Sequence, residues 1–274
     1  MSTLFTGISE LRTVSERGTL NDAAIIAQSG TIAWVGPASE APAADEKVDL
    51  GGRAVLPGWV DSHTHMVFDG DRSAEFEARI SGGSYEAGGI AVTMDATRQA
   101  GTDRLDKLVA DRVAAGRRGG TTTFETKTGY GLNTESEVEA AKVASRHVDD
   151  VTFLGAHLVP PGADAEEYLD EVVGPMLEGV APYVQWIDVF CERGAFNEEQ
   201  SRRVLEAGKK LGLGLRVHGN QLGEGPGVAL AVELGAASVD HVNHLTDEDV
   251  ELLANSDTVA TMLPACDLST REPL

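Results

Sequence analysis

Cysteine is almost absent. Cys191 and Cys266 are the only two in 274 residues, each beside an apolar run. This excludes a disulfide framework and reads as buried, reduced thiols in a cytoplasmic protein. Basic residues are scarce too: 22 Lys and Arg stand against 44 Asp and Glu, giving a formal net charge of −22 and a pI of about 4.6. Such a chain has no electrostatic case for nucleic acid or an anionic membrane, and its charge is expected on the solvent faces of outer helices. No apolar run approaches the ~20 residues that cross a bilayer. Met1–Phe5 is not a basic segment followed by an apolar core, so no secretory leader is expected.

What is present fits one α/β enzyme. A chain of 274 residues can bury a sizeable core and sits near the upper edge of single-domain size. Residues 1–52 carry short β-like pieces (Leu4–Ile8, Ala23–Ala27, Thr31–Val35) broken by Gly30, Gly36-Pro37 and an Ala/Pro/acidic stretch at 38–46. They are expected to form a small β-subdomain. From residue 53 a β-then-α rhythm takes over. Strands are expected at Ala54–Val60, Thr121–Lys127, Val151–His157, Trp186–Glu192, Gly214–His218, Ser238–Val242 and Thr258–Leu263. Helical patterns lie between them at Leu105–Arg118, Glu135–His147, Ala165–Leu177, Glu198–Leu211, Gly227–Leu234 and Asp247–Ala254. This alternation argues for a parallel sheet, open or closed into a barrel. The seven strands are one short of an eightfold barrel, and nothing that reads as a strand follows the seventh. An incomplete barrel over residues 53–274 is therefore expected.

The chemistry begins at Asp61-Ser62-His63-Thr64-His65, directly after the apolar run Arg53–Val60. Side chains at i and i+2 of an extended chain point the same way, so a strand entering His-x-His delivers two imidazoles side by side. Neutral imidazole is the commonest ligand of catalytic divalent metals. His218, ending Leu213–Val217, is the natural third ligand. His241, after Ser238-Val239-Asp240, is either a fourth ligand or a base for an attacking water whose pKa a metal lowers. His157 suits a hydrogen bond to substrate, and Asp240 is either a carboxylate that orients an imidazole or a plain strand-end acid. Each histidine taken alone could be a satisfied core residue. Of the seven in the chain, however, only His147 falls on an expected helix, where it reads as a surface residue. Arg72, in the loop Phe68-Asp69-Gly70-Asp71-Arg72, could clamp a substrate carboxylate, although a loop Arg is more often simply solvated.

The stretch Leu56–His65 resembles the first-strand signature of the amidohydrolase superfamily. Other stretches are similar to the imidazolonepropionase family within it: Phe68–Arg72, Glu75–Arg79, Ala87–Ile90, Lys127–Leu132, Phe153–His157, Asp188–Glu192 and Gln200–Gly208. The resemblance covers the whole chain. It implies one zinc or iron ion in a distorted (β/α)8 barrel beside a small β-sandwich, to which residues 1–52 would contribute part. It implies His63, His65 and His218 as metal ligands, Arg72, Tyr130, His157 and Gln221 as substrate-binding residues, and His241 as the catalytic histidine. The reaction implied is hydrolytic opening of 4-imidazolone-5-propanoate to N-formimino-L-glutamate in histidine degradation. The partner is then a small-molecule substrate, and the resemblance allows a homodimer. Two departures stand out. Gln221 occupies a position where the family often has an acid, so binding alone is expected of it. The superfamily's Asp ligand at strand eight, and the segment that completes the β-sandwich, have no counterpart in the 274 residues. Two other readings compete: another cyclic-amide hydrolase or deaminase of the superfamily, and a non-catalytic amidohydrolase-like scaffold. Retention of all three histidine ligands argues against the scaffold. The Arg72, Tyr130 and His157 set argues against a deaminase of neutral bases, which needs no carboxylate clamp.

Overall fold

The computed structural model describes residues 1–73, 76–77 and 89–270. Glu75, Ala78, Arg79, Ala87 and Gly88 of the motifs above lie outside the described residues, as do residues 271–274. The chain divides into two compact units, Met1–Trp59 and Val60–Leu274.

In the first unit β1 (Ser2–Arg12), β2 (Thr19–Gln28), β3 (Thr31–Pro37) and β4 (Glu46–Val55) form a sheet in the order β3-β2-β1-β4. The two hairpins are antiparallel, and β4 joins β1 in parallel. Gln28 pairs with Thr31 across Ser29-Gly30, both left-handed at φ 52° and 78°. Two positive φ values make the primed turn whose twist matches that of the strands, and Gly30 adopts its half without steric cost. Ile8, Leu11 and Ala23 form the core of this sheet, with Leu20, Ile25, Val35, Leu50 and Val55 packed against it.

The second unit is a seven-stranded sheet in sequential order: β5 (Trp59–Asp61), β6 (Thr121–Lys127), β7 (Asp150–Ala156), β8 (Trp186–Cys191), β9 (Gly214–Gly219), β10 (Ser238–His241) and β11 (Val259–Thr261). Every described pairing from β6 to β11 is parallel. This is the incomplete (β/α) barrel expected from the βα rhythm. Expected and observed strands coincide within a residue or two except at the ends of the sheet. The continuous strand expected at Ala54–Val60 is divided: Ala54 and Val55 end β4, Leu56-Pro57-Gly58 intervenes, and β5 has three residues. Pro57 cannot donate to a ladder, which is why the apolar run does not stay one strand. The helix expected over Ala165–Leu177 is regular to Glu171 and then kinks: Val172–Met176 is a π turn in which Gly174 leaves helical geometry and Pro175 removes a backbone donor, and helix resumes over Leu177–Val180. Helices Gly89–Ala100 and Pro264–Thr270 were not anticipated.

Helix starts are fixed by side-chain caps. Asn133, Asp164, Asn197 and Thr246 each accept backbone N–H bonds, the last two in full capping boxes. The first turns carry Glu135 and Glu137, Glu166 and Glu167, Glu198 and Glu199, and Asp247, Glu248 and Asp249. These acids sit at the positive ends of helix dipoles. No helix among the described residues is long and apolar enough to cross a membrane.

The helix layer packs on one face of the sheet through Phe124, Val151, Phe153, Ile187, Val189, Leu215, Val217 and Val239, all buried in one core. Close approach is needed where the helix Glu198–Lys210 crosses β8. A Cβ added at Gly208 would lie 2.4 Å from Ile187 Cγ2. Gly208→Val should therefore destabilise the protein by about 1–3 kcal/mol through overpacking. The check is the shift in denaturation midpoint. An unchanged midpoint would mean that the helix does not lie against β8 as described.

Candidate active site

The residues that matter collect at the carboxyl ends of the parallel strands, where barrel enzymes place their sites. Beyond Asp61 the chain stays extended because β6 holds it. Thr64 O accepts from Lys127 N (2.9 Å), Thr64 N donates to Glu125 Oε2 (3.2 Å), and Met66 N donates to Thr126 Oγ1 (2.8 Å). His63 and His65 thus leave the same side of an extended segment and meet His218 from the end of β9. Ring centroids are 4.7 Å apart for His63 and His218, 5.3 Å for His63 and His65, and 5.5 Å for His65 and His218. One donor atom from each of the three lies within 4.8 Å of the others. His65 Nε2 and His218 Nε2 are 3.4 Å apart. Bonds of about 2.1 Å in tetrahedral geometry imply ligand–ligand edges of about 3.4 Å. Burial, reinforced by the neighbouring His63, holds the imidazoles of His65 and His218 well below their ordinary range. They are neutral at physiological pH, with lone pairs open to a cation. The donor set fits a divalent metal.

Carboxylates stand behind two of the rings. His63 Nδ1 lies 2.7 Å from Asp240 Oδ2, and His218 Nδ1 lies 2.9 Å from Asp188 Oδ2. At His63 the contact is a hydrogen bond, and a carboxylate on Nδ1 fixes the tautomer that leaves Nε2 as the acceptor and makes the ring a better ligand. The His218–Asp188 approach is a close contact without hydrogen-bond geometry. Asp240 is thus a partner of an imidazole, one of the two roles its position left open. Asp188 is pinned by accepting from the backbone N–H groups of Val189 (2.7 Å) and His218 (3.2 Å). Beneath both carboxylates lies Lys127, fully buried. Its Nζ is 2.9 Å from Glu125 Oε1, 3.4 Å from Asp188 Oδ2 and 3.5 Å from Asp240 Oδ2. Burial alone would lower the Lys127 pKa, but the three acids outweigh it and raise the pKa, so the ammonium stays charged.

The remaining sequence candidates share one cavity of about 700 Å³ with the three histidines: Arg72, Tyr130, His157, Gln221 and His241 all line it. His241 is 5.3 Å from His63 and 5.2 Å from His218 between ring centroids. Burial and His63 push its pKa down to about 3. It groups on its far side with Cys266 and Asp267, their donor atoms within 4.8 Å of one another. His157 donates from Nδ1 to Gly129 O at 2.8 Å, since a carbonyl can only accept, which leaves Nε2 as an acceptor. The Gln221 backbone is anchored by donating its N–H to Glu192, which also accepts from Leu222 N at 3.2 Å. His147, expected on a helix surface, lies half-buried in the turn after the helix Thr134–Ala144, 3.0 Å from Asp106.

One contributor escaped the sequence reading. The loop bearing Tyr130 is built around Glu137, a fully buried helix residue. Glu137 accepts from Gly129 N (2.9 Å), Gly131 N (2.7 Å) and Leu132 N (2.9 Å). Gly129 has φ 107°, and a Cβ there would lie 2.6 Å from Leu154 O, so no other residue fits. The available signal was the spacing of Gly129, Gly131 and the N-cap Asn133 ahead of an acid in the first helical turn.

No family model matches the chain. Curated relatives do: it is 63% identical to the imidazolonepropionase of Arthrobacter sp. (strain FB24) and 64% identical to that of Saccharopolyspora erythraea. Each alignment covers 100% of this chain and 71% of the relative, so the chain spans about 70% of the relatives' length. Among solved structures it resembles the triazine hydrolase of Arthrobacter aurescens (TM-score 0.68, 16% identity), covering 98% of this chain and 66% of that one. It also resembles a zinc-bound adenosine deaminase of Xanthomonas campestris (TM-score 0.66, 17% identity), covering 99% of this chain and 64% of that one. These structural likenesses bear on the fold, and it is the amidohydrolase type. At this identity over its whole length, the chain belongs to the imidazolonepropionase family.

Proposed function

We propose that His63, His65 and His218 hold one divalent metal, zinc or iron, and that the cavity above them opens the ring of 4-imidazolone-5-propanoate to N-formimino-L-glutamate. The family of ring-opening hydrolases in histidine degradation supplies the reaction. The observation that carries the site is the convergence of three imidazole donors within 4.8 Å at a mouth that Arg72 also lines. When bound, a metal there supplies Lewis-acid polarisation and lowers the pKa of the attacking water.

The protein's own groups do the rest. Arg72 offers a planar fork that matches the propionate carboxylate. Tyr130 and His157 hydrogen-bond the substrate, with the lone pair on His157 Nε2 able to accept from a ring N–H. Gln221 carries no titratable proton, so it binds and orients the imidazolone ring. Water oxygen bonds to the ring carbonyl carbon, the amide C–N bond breaks, and the departing nitrogen takes up a proton. His241, whose ring lies 5.3 Å from that of His63 and 5.2 Å from that of His218, accepts the water proton and delivers it to that nitrogen.

Two measurements test this. Zinc-loaded protein should contain one ion per chain, and His218→Ala should weaken zinc binding by more than the roughly 10–100-fold that follows loss of an outer partner. Equal zinc content and affinity in the variant would remove His218 from the site. Arg72→Ala should lower kcat/KM by about 2–4 kcal/mol, the cost of truncating a desolvated charge pair, with Arg72→Lys losing less. Loss of imidazolone absorbance is the assay, and an unaffected Arg72→Ala variant would show the clamp assignment to be wrong.

A further inference from the structure

We infer that Lys127 is a positioning residue: its buried ammonium holds Asp188 and Asp240 in the places from which they orient His218 and His63. This rests on the metal-site reading above and extends it to a residue that touches neither metal nor substrate. Lys127 is not among the residues lining the cavity, and its ammonium is surrounded by three carboxylates, so no substrate atom is within its reach.

The geometry is specific. Asp188 Oδ2 is 2.9 Å from His218 Nδ1 and 3.4 Å from Lys127 Nζ. Asp240 Oδ2 is 2.7 Å from His63 Nδ1 and 3.5 Å from the same Nζ. One oxygen of each acid therefore lies against an imidazole and the ammonium at once, as a hydrogen bond at His63 and as a close contact at His218. Asp188 comes from β8, Asp240 from β10 and Lys127 from β6, so no backbone ladder sets the distance between these groups directly. Two carboxylate oxygens aimed into one water-free space repel strongly. The ammonium between them turns that repulsion into a shared attraction and fixes both. Stability does not explain the arrangement, since buried ion clusters are often matched or bettered by apolar packing. Their well-attested value is in fixing one geometry.

The second neighbour of Lys127 allows a discriminating experiment. Glu125 is its nearest acid, at 2.9 Å, and is held separately by Thr152 and Thr64. If Lys127 serves only to neutralise Glu125, then Lys127→Met combined with Glu125→Gln should behave as the parent. If Lys127 positions the two aspartates, the pair should remain defective. Two readouts apply to the parent, Lys127→Met and the double variant, each checked for cooperative unfolding. The first is ring nitrogen NMR of the metal-free protein. His63, hydrogen-bonded to Asp240, should be a single Nδ1–H tautomer in the parent and mixed in both variants. The second is the zinc dissociation constant by chelator competition, expected to rise about 10–100-fold in both variants. Should Lys127→Met not fold, the double variant, which removes one charge of each sign, decides alone. Parental tautomers and parental zinc affinity in the variants would overturn the proposal. A parent that binds no zinc but shows the His63 tautomer fixed, and lost on removing Lys127, would overturn the metal reading while leaving the positioning role in place.

Discussion

A single ammonium with no access to solvent organises the floor of this site. Lys127 reaches carboxylates from β6, β8 and β10, and through them the histidines that follow β5 and end β9. Charges so deeply buried are costly unless paired and hydrogen-bonded, and this interior pairs each with an opposite charge, although Asp188 Oδ2, Asp240 Oδ1 and Arg216 Nε make no hydrogen bond. Thr152 Oγ1 donates to Glu125, and Arg216 lies 3.8 Å from Glu125 while stacking over Trp186 at 4.5 Å and donating to Ser62 O at 3.1 Å. The barrel interior is thus a polar network, and the fold's apolar burial is on the other face. Period-two alternation makes that division possible. Glu125 and Lys127 look inward while Phe124 looks out to the helices, and Asp188 looks inward between Ile187 and Val189. Stability comes from one face of each strand and chemistry from the other.

That division is also why so much could be read from the sequence. An apolar strand with a polar residue at its carboxyl end is a strong pattern when it recurs at βα spacing. The strands from Thr121 to His241, the His-x-His pair and His218 all stood out on those grounds. The roles of Tyr130 and Gln221 came from family resemblance, and the resemblance also chose between the alternatives that the residues left open for Arg72 and His241, since a loop Arg or a strand-end Gln has no periodic signature. What escaped was contact between distant segments. Glu137 looks like any first-turn acid, but its buried carboxylate gathers three N–H groups of the Tyr130 loop. Lys127 and Asp188 lie on separate strands far apart in the sequence, and only the fold shows them 3.4 Å apart.

Local breaks in pattern were the other blind spot. The Leu56-Pro57-Gly58 interruption lies within an apolar run, and hydrophobicity alone does not separate β4 from β5. Likewise Gly174-Pro175 sits inside an apolar helical period that continues past it to Val180, so the burial pattern carries no sign of the kink. In both places a backbone constraint overrides the burial pattern: the missing proline donor in each, and the non-helical geometry of Gly174 in the second.

The end of β10 shows such a constraint put to use. Alternation along Ser238-Val239-Asp240-His241 places Asp240 inward, so His241 should face the helices like Val239. Instead His241 has φ 80° and Val242 φ 50°. Left-handed geometry costs about 1–2 kcal/mol for a residue with a Cβ and is least suited to β-branched Val. The kink is held by Val242 N donating to Gly219 O at 3.2 Å and His244 N donating to Asn220 O at 2.9 Å. Asn220, itself left-handed at φ 53°, donates from its side chain to His244 O at 3.1 Å. The strained turn at the end of β10 is therefore tied to the strained turn after β9. Its consequence is local: two neighbouring residues of β10, Asp240 and His241, both serve the mouth, one behind His63 and the other beside it. A regular strand could present only one of them there, which is a physical reason for strain at this point and not elsewhere in the sheet.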